Sequence, residues 1–297
     1  MNFKLNALVA AAMMVAAGTA NAQIADSNDN TNELVNNSGD MFASVVSAKN
    51  TATFTVDLGL TLNQFVSAVA PTAKGVKLVW DMDAGTFSDL SSTTTGLTSL
   101  VQSINYGTVY TTFATAAVVG STDLKFDIKA MDGTPGLLAA TGTNRYLSTS
   151  LADSITATNS QVFAMDNEDS YVVAANSDAT NSTQGTSFGI AGANMFDAGD
   201  GANVYFESTG DQWNGASTFS SVGNVGDLLN FYSLFNSSKT GSAQATVTQY
   251  SGVWSFDTAT AQLSYTTAPV PEAETYAMML AGLGLVGFMV SRRRNRV

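Results

Sequence analysis

Thr53-Phe54-Thr55-Val56-Asp57-Leu58 and, further on, Leu124-Lys125-Phe126-Asp127-Ile128-Lys129 set every apolar side chain two residues from the next. A period of two is the signature of a strand with one face in a core and one in solvent. Phe54, Val56 and Leu58 should therefore be buried with Thr53, Thr55 and Asp57 outside, and Lys125, Asp127 and Lys129 should likewise face water. Val204 and Phe206 alternate with Tyr205 and Glu207 in the same way. Near the end Trp254-Ser255-Phe256 and Leu263-Ser264-Tyr265 flank Asp257-Thr258-Ala259-Thr260, which reads as a hairpin. Further strands are expected at Val76–Trp80, Gly107–Val119, Gln161–Met165, Tyr171–Ala175 and Ala243–Gln249. Short helical turns are expected at Asn63–Val69, Gly96–Ile104 and Asp227–Phe235, where the apolar spacing is mixed. The segments between are rich in Gly, Asn, Ser and Asp, with no fixed repeat. Together these predict a mainly β domain, an antiparallel β-sandwich of jelly-roll-like form.

Composition agrees with a polar but foldable chain. Ser, Thr and Asn together supply 90 of 297 residues, and charged residues are 12 % against roughly 25 % in average soluble proteins. The 45 % hydrophobic content is enough to build a core. Residues 23–270 hold 22 Asp/Glu against 7 Lys/Arg, a net charge of −15. Such a surface repels phosphate backbones, which argues against a nucleic acid partner.

The chain has no cysteine and no histidine. That excludes disulfides, thiolate nucleophiles, Cys/His zinc sites and a Ser-His-Asp triad. Without disulfides, the fold must be held together by core burial.

Both ends carry targeting patterns. Lys4 precedes an apolar run from Leu5 to Ala17, and Ala20-Asn21-Ala22 forms a small-x-small cleavage site, so residues 1–22 read as a secretory signal peptide with mature protein starting at Gln23. Ile24–Asp40, rich in Asn and Asp, reads as a loose lead-in. Residues 23–265 make the exported β domain and 266–275 a linker. Residues 276–291 form a transmembrane helix and 292–297 a basic tail. The apolar run Ala277–Val290 gives a helix of about 21 Å, short of the ~30 Å hydrocarbon core, and Tyr276 and snorkelling arginines extend it. Arg292, Arg293, Arg294 and Arg296 act as the cytoplasmic stop-transfer cluster. Pro271 keeps the preceding segment extended and open to an enzyme.

Val270-Pro271-Glu272, the run Tyr276–Phe288 with its Met-Met-Leu-Ala-Gly-Leu-Gly-Leu core, and Arg292-Arg293-Arg294 together resemble the PEP-CTERM sorting signal. The third motif position departs from that pattern, with Ala273 in place of proline. The resemblance implies a substrate of exosortase as well as of signal peptidase, exported from a Gram-negative cell. It implies an inner-membrane intermediate and then delivery to the cell surface or extracellular matrix, with exopolysaccharide as a natural neighbour.

Three acidic clusters, Asp81-Met82-Asp83, Asp166-Asn167-Glu168-Asp169 and Asp197-Ala198-Gly199-Asp200-Gly201, supply the oxygen ligands calcium takes from loops, Asp197 and Asp200 foremost. The competing reading is turn residues, and none fits the EF-hand spacing. No other cofactor is implied. Trp213 lies in the polar run Asp211-Gln212-Trp213-Asn214-Gly215, where a partly exposed indole would stack on a sugar ring. Asn36, Asn181 and Asn236 begin Asn-x-Ser/Thr triplets, and exposed Ser and Thr permit O-linked sugar.

Two classes of function follow. One is a structural or glycan-binding protein of the surface or biofilm matrix, without catalysis. The alternative is a secreted polysaccharide hydrolase working through paired carboxylates, which need neither histidine nor cysteine. No motif points to a reaction, so the first is the expectation.

Overall fold

The computed structural model describes residues 39–47, 52–93, 95–101, 103–104, 106, 109–117, 123–132, 144–165, 172, 190–191, 193–196, 213, 217–269 and 283. The strands are β1 (Asp40–Ser47), β2 (Ala52–Thr61), β3 (Lys77–Asp81), β4 (Thr86–Asp89), β5 (Ser103–Ile104), β6 (Leu124–Asp132), β7 (Arg145–Ser150), β8 (Ile190–Ala191), β9 (Ala193–Phe196), β10 (Gly223–Asn224), β11 (Leu229–Phe235), β12 (Thr246–Asp257) and β13 (Gln262–Thr266). The helices are α1 (Leu62–Ala68), α2 (Val109–Ala116) and α3 (Asn159–Ala164), with a 3-10 turn at Leu97–Ser99.

Mainly antiparallel β structure is what forms. Among the described residues the main sheet runs β4-β3-β13-β12-β11-β7-β6-β1-β2-β9, with β10 added beside β6, and only β5 and β8 pair apart from it, in parallel. The two stacked sheets of a sandwich are thus replaced by one sheet that curls. Its far portions meet: the Trp80 indole on β3 donates to the Leu58 carbonyl on β2 at 2.9 Å. Bulges bend the strands. Asp40 faces Thr61 while Phe42 faces Asp57, so β2 carries extra residues around Gly59, whose φ of 71° suits glycine. A second irregularity separates Asn230 from Phe231, opposite Ser251 and Gly252 of β12.

The inside of the curl holds the larger core. Trp80, Trp254, Phe231, Phe65 and Tyr265 form a chain of ring contacts, with Trp80 and Trp254 centroids 5.5 Å apart and Phe65 edge-on to Phe231 at 5.4 Å. α2 fills the remaining gap, because Tyr110 reaches both Phe54 on β2 and Phe256 on β12. The outside of the curl is covered too. Phe42, Val46, Met131, Tyr146, Tyr232 and Leu234 pack under Ile155, Ala157, Val162, Met165, Trp213, Phe219 and Val222. The half-buried reading of β2 and β6 is corrected by this second cover: Thr53, Thr55 and Asp57, as well as Asp127 and Lys129, are buried.

The β12–β13 hairpin forms as expected, with Trp254 opposite Tyr265 and Asp257 opposite Gln262. β12 is one twelve-residue strand, joining two expected pieces, Ala243–Gln249 and Trp254–Phe256. Val76–Trp80 becomes β3. Asn63–Val69 becomes α1, opened by a Thr61/Gln64 capping box, and Gly96–Ile104 contains the 3-10 turn. Three expectations are corrected. Gly107–Val119 contains the helix α2, because Val109, Tyr110, Phe113 and Ala117 make a helical stripe on the core. Gln161–Met165 lies in α3 and the residue after it, where Thr158 and Gln161 form a capping box. Asp227–Phe235 contains the strand β11, paired on both sides. Of the expected lead-in Ile24–Asp40 only Gly39 and Asp40 are described, and Asp40 already belongs to β1. Val204–Glu207 lies outside the described residues, as does Tyr171–Ala175 apart from the buried Val172.

Candidate functional site

Two features carry functional information: a sealed polar cluster in the sheet and the exit of the chain toward its C-terminus.

Alternation along β6 puts Asp127 and Lys129 on one face, beneath the outer cover. The Lys129 ammonium lies 3.1 Å from Asp127 Oδ2, and both side chains have no exposure. Ser221 Oγ donates to Asp127 Oδ2 at 3.0 Å. The Trp213 ring sits over Lys129 Nζ at 5.1 Å, and its indole N–H donates to Ser148 Oγ at 2.9 Å. Register explains the assembly, because Lys129 faces Ser148 on β7 and Asp127 faces Ser44 on β1, which in turn bonds Thr55 on β2. Burying two charges costs several kcal/mol per ion unless they neutralise one another and their remaining valences are met. Each ion here has the other as counter-charge.

Beside this row Asp57 is buried on β2. Burial first, then the negative charge of Asp40, pushes its carboxyl well above the usual range, against a 2.7 Å bond from the Gly59 N–H. Tyr106 donates to the Asp57 carbonyl at 3.0 Å, and burial followed by the Asp57 charge raises its phenol well above normal. Asp40 and Asp57 are 4 % and 1 % exposed, so neither carboxyl is open to a large substrate in this fold. Arg145, a third of it exposed, pairs with Asp132 across β6 and β7 and donates to Asn63 Oδ1 at 2.6 Å.

Trp213 is a correction. The indole expected at the surface is fully buried, held edge-on to Tyr146 at a centroid distance of 5.5 Å, and has no face left for a sugar. Asp81 is a turn residue whose Oδ1 accepts from the Asp83 and Ala84 amides. Asp197, Asp200 and the Asp166–Asp169 cluster lie outside the described residues. Among those described, no three acidic side chains converge on a common point. Asn236 is buried, its Oδ1 accepting from the Asn144 amide at 3.0 Å, so that triplet is closed to glycan transfer in the folded state. Asn36 and Asn181 lie outside the described residues.

The buried cluster was invisible to the alternation argument. One signal for it existed: Lys125, Asp127 and Lys129 alternate in sign along one face of a chain with few cations, a row able to neutralise itself.

At the other feature, β13 ends at Thr266, and the backbone stays bonded to the β3 side a little longer. The Thr267 amide donates to the Val76 carbonyl at 2.9 Å and the Gly75 amide to the Ala268 carbonyl at 2.7 Å. Ala268 and Pro269 are exposed. The recognition residues Val270, Pro271 and Glu272 follow at once, and they lie outside the described residues, as do Arg292, Arg293, Arg294 and Arg296 and the signal cleavage residues Ala20, Ala22 and Gln23. Among the described residues no helix is long and apolar enough to cross a membrane.

These features define an antiparallel curled β domain with a C-terminal appendage starting where its sheet lets go. Residues 269–294 match the PEP-CTERM protein-sorting motif. That motif implies processing by an exosortase and export to the cell envelope or surface. No curated protein and no solved structure matches the chain.

Proposed function

We propose that this is a surface or extracellular-matrix protein of a Gram-negative cell, whose β domain is structural or holds exopolysaccharide weakly and performs no catalysis. The observation that carries the reading is the sorting motif, which starts within two residues of the last backbone bond among the described residues of the domain. On this reading the Ala277–Val290 run holds an inner-membrane intermediate with the arginines in the cytoplasm, and cleavage near Pro271 frees the domain. The sealing of the Lys129–Asp127 pair beneath the outer cover fits a structural role.

Intact-mass analysis of inner-membrane, periplasmic, surface and medium fractions from native cells tests it. The expected product begins at Gln23, ends near Val270–Ala273 and is found at the surface or in the medium. Pro271→Ala with Glu272→Ala should trap full-length C-termini in the inner membrane. Wild-type protein found only there, with Val297 intact, would sink the proposal.

A further inference from the structure

The hydroxyl side chains divide sharply by burial. Ser44, Thr53, Thr55, Ser148, Thr149 and Ser221 are sealed between the sheet and its covers. Their opposite is the segment Ser88–Ser99, in which eight of twelve residues are Ser or Thr and none is basic or aromatic. Here Ser92, Thr93, Thr98 and Ser99 are all exposed. Other exposed hydroxyls among the described residues are scattered, as Ser154, Thr156 and Ser160 are, or lie on a helix, as Thr111, Thr112 and Thr115 do.

The segment runs from the end of β4 to the 3-10 turn and is anchored at its start. The Leu90 amide donates to the Lys77 carbonyl at 2.8 Å and the Ser92 amide to the Gly75 carbonyl at 2.7 Å, after which the chain turns back at Gly96. Between its two arms lies a surface cleft of about 380 Å³ lined by hydroxyls and by Asp89, a volume within the roughly 300–1,000 Å³ of small-ligand clefts. Ser92, Thr93 and Ser99 each use their hydroxyl as a donor to a backbone carbonyl, of Gly75, Lys74 and Gly96 respectively. The oxygen lone pairs therefore remain available. Leu90 is 58 % exposed and Leu100 37 %, two apolar side chains flanking the hydroxyls that the protein itself leaves bare. A pyranose presents C–H groups that would cover them while its hydroxyls meet the cleft.

We propose that Ser92, Thr93, Thr98 and Ser99 form an O-glycosylation site of the exported domain, its first sugar seated in the cleft between Asp89 and Ser99. A glycosyltransferase of the envelope is the partner, and a diphosphate-activated sugar the co-substrate. The side-chain oxygen attacks the anomeric carbon, the bond from that carbon to the diphosphate breaks with its electron pair leaving on phosphate, and the hydroxyl proton passes to a base of the transferase. The inference rests on the export reading.

The test is intact and peptide-level mass analysis of the full chain expressed in its native cells, with electron-transfer fragmentation of the tryptic peptide Leu78–Lys125. Whole-sugar mass increments localised to Ser91–Ser99 are expected, and they should vanish in a Ser92→Ala, Thr93→Ala, Thr98→Ala, Ser99→Ala variant whose thermal midpoint matches the wild type treated to remove glycans. Protein exported with both termini processed, yet carrying this peptide at its unmodified mass, would overturn the site and leave the sorting proposal standing. Sugar found only on other peptides, or retained by the variant, would overturn it equally. A chain with both ends uncleaved would instead mark failure of export.

Discussion

Replacing Lys129 by methionine asks whether the outer face of the sheet is sealed. Methionine keeps most of the stem volume beneath Trp213, so little cavity forms, and the chief change is that Asp127 loses its counter-charge at 3.1 Å while both positions have no exposure. Removing one partner of a buried pair costs about 3–5 kcal/mol, whereas an exposed pair contributes about 0–1. With a urea slope near 3 kcal/mol/M, the midpoint should fall by about 1 M or more. The double variant Lys129→Met, Asp127→Leu should recover most of that loss, because no orphaned charge remains. Urea titrations followed by far-UV circular dichroism read both. A single variant within about 1 kcal/mol of wild type would mean that water reaches Lys129, and would refute the two-faced core.

Asp57→Asn should stabilise the domain at neutral pH. Its carboxyl titrates well above the usual range in the fold, so the native state binds the proton more tightly than the unfolded chain. The wild type should therefore gain stability as pH falls through that raised value toward the ordinary carboxylate pKa of about 4. Urea midpoints across this window should slope in the wild type and flatten in the variant, while a variant weaker at every pH would contradict the assignment. Gly252→Ala places a Cβ 2.2 Å from the Tyr265 ring, and overpacking of this kind costs about 1–3 kcal/mol; an unchanged thermal midpoint would show that β12 and β13 are not so close. Thr158→Ala removes the capping box of α3, with an expected loss of about 1 kcal/mol that Gln161→Ala should partly reproduce in chemical denaturation. Trp80, Trp213 and Trp254 all have no exposure, so tryptophan emission should be blue-shifted and insensitive to iodide. Quenching, or a response to added oligosaccharide, would return Trp213 to the surface.

The misread segments show where local reasoning gives way. Six of the eight residues of Val109–Ala116 are β-branched or aromatic, weak helix formers, and the segment is helical with Tyr110 and Phe113 reaching Phe54 from one face. Its stripe of Val109, Tyr110, Phe113 and Ala117 was present in the sequence but outweighed there by composition. The Thr158-Asn159-Ser160-Gln161 capping box was equally legible. Asp227–Phe235 is a strand only because β7 and β12 lie on either side of it, a condition no local window contains. For the sites, the sorting motif was readable because a processing enzyme reads a contiguous stretch of chain. The Asp127–Lys129 cluster was not, because its members come from β6, β7 and the distant Trp213 and Ser221.

Alone, the sequence determined the β character, the final hairpin, the faces of β2 and β6 and the address at the C-terminus, all of which depend on neighbours within a few residues. Tertiary structure decided which of those faces meets water. Once residues 155–165, Trp213 and residues 217–222 lie across the sheet, the polar residues of β1, β2 and β6 become interior, where Lys129 is paired with Asp127 and Thr55 with Ser44. A period of two reports that a strand has two faces, and only the rest of the chain determines what covers the second.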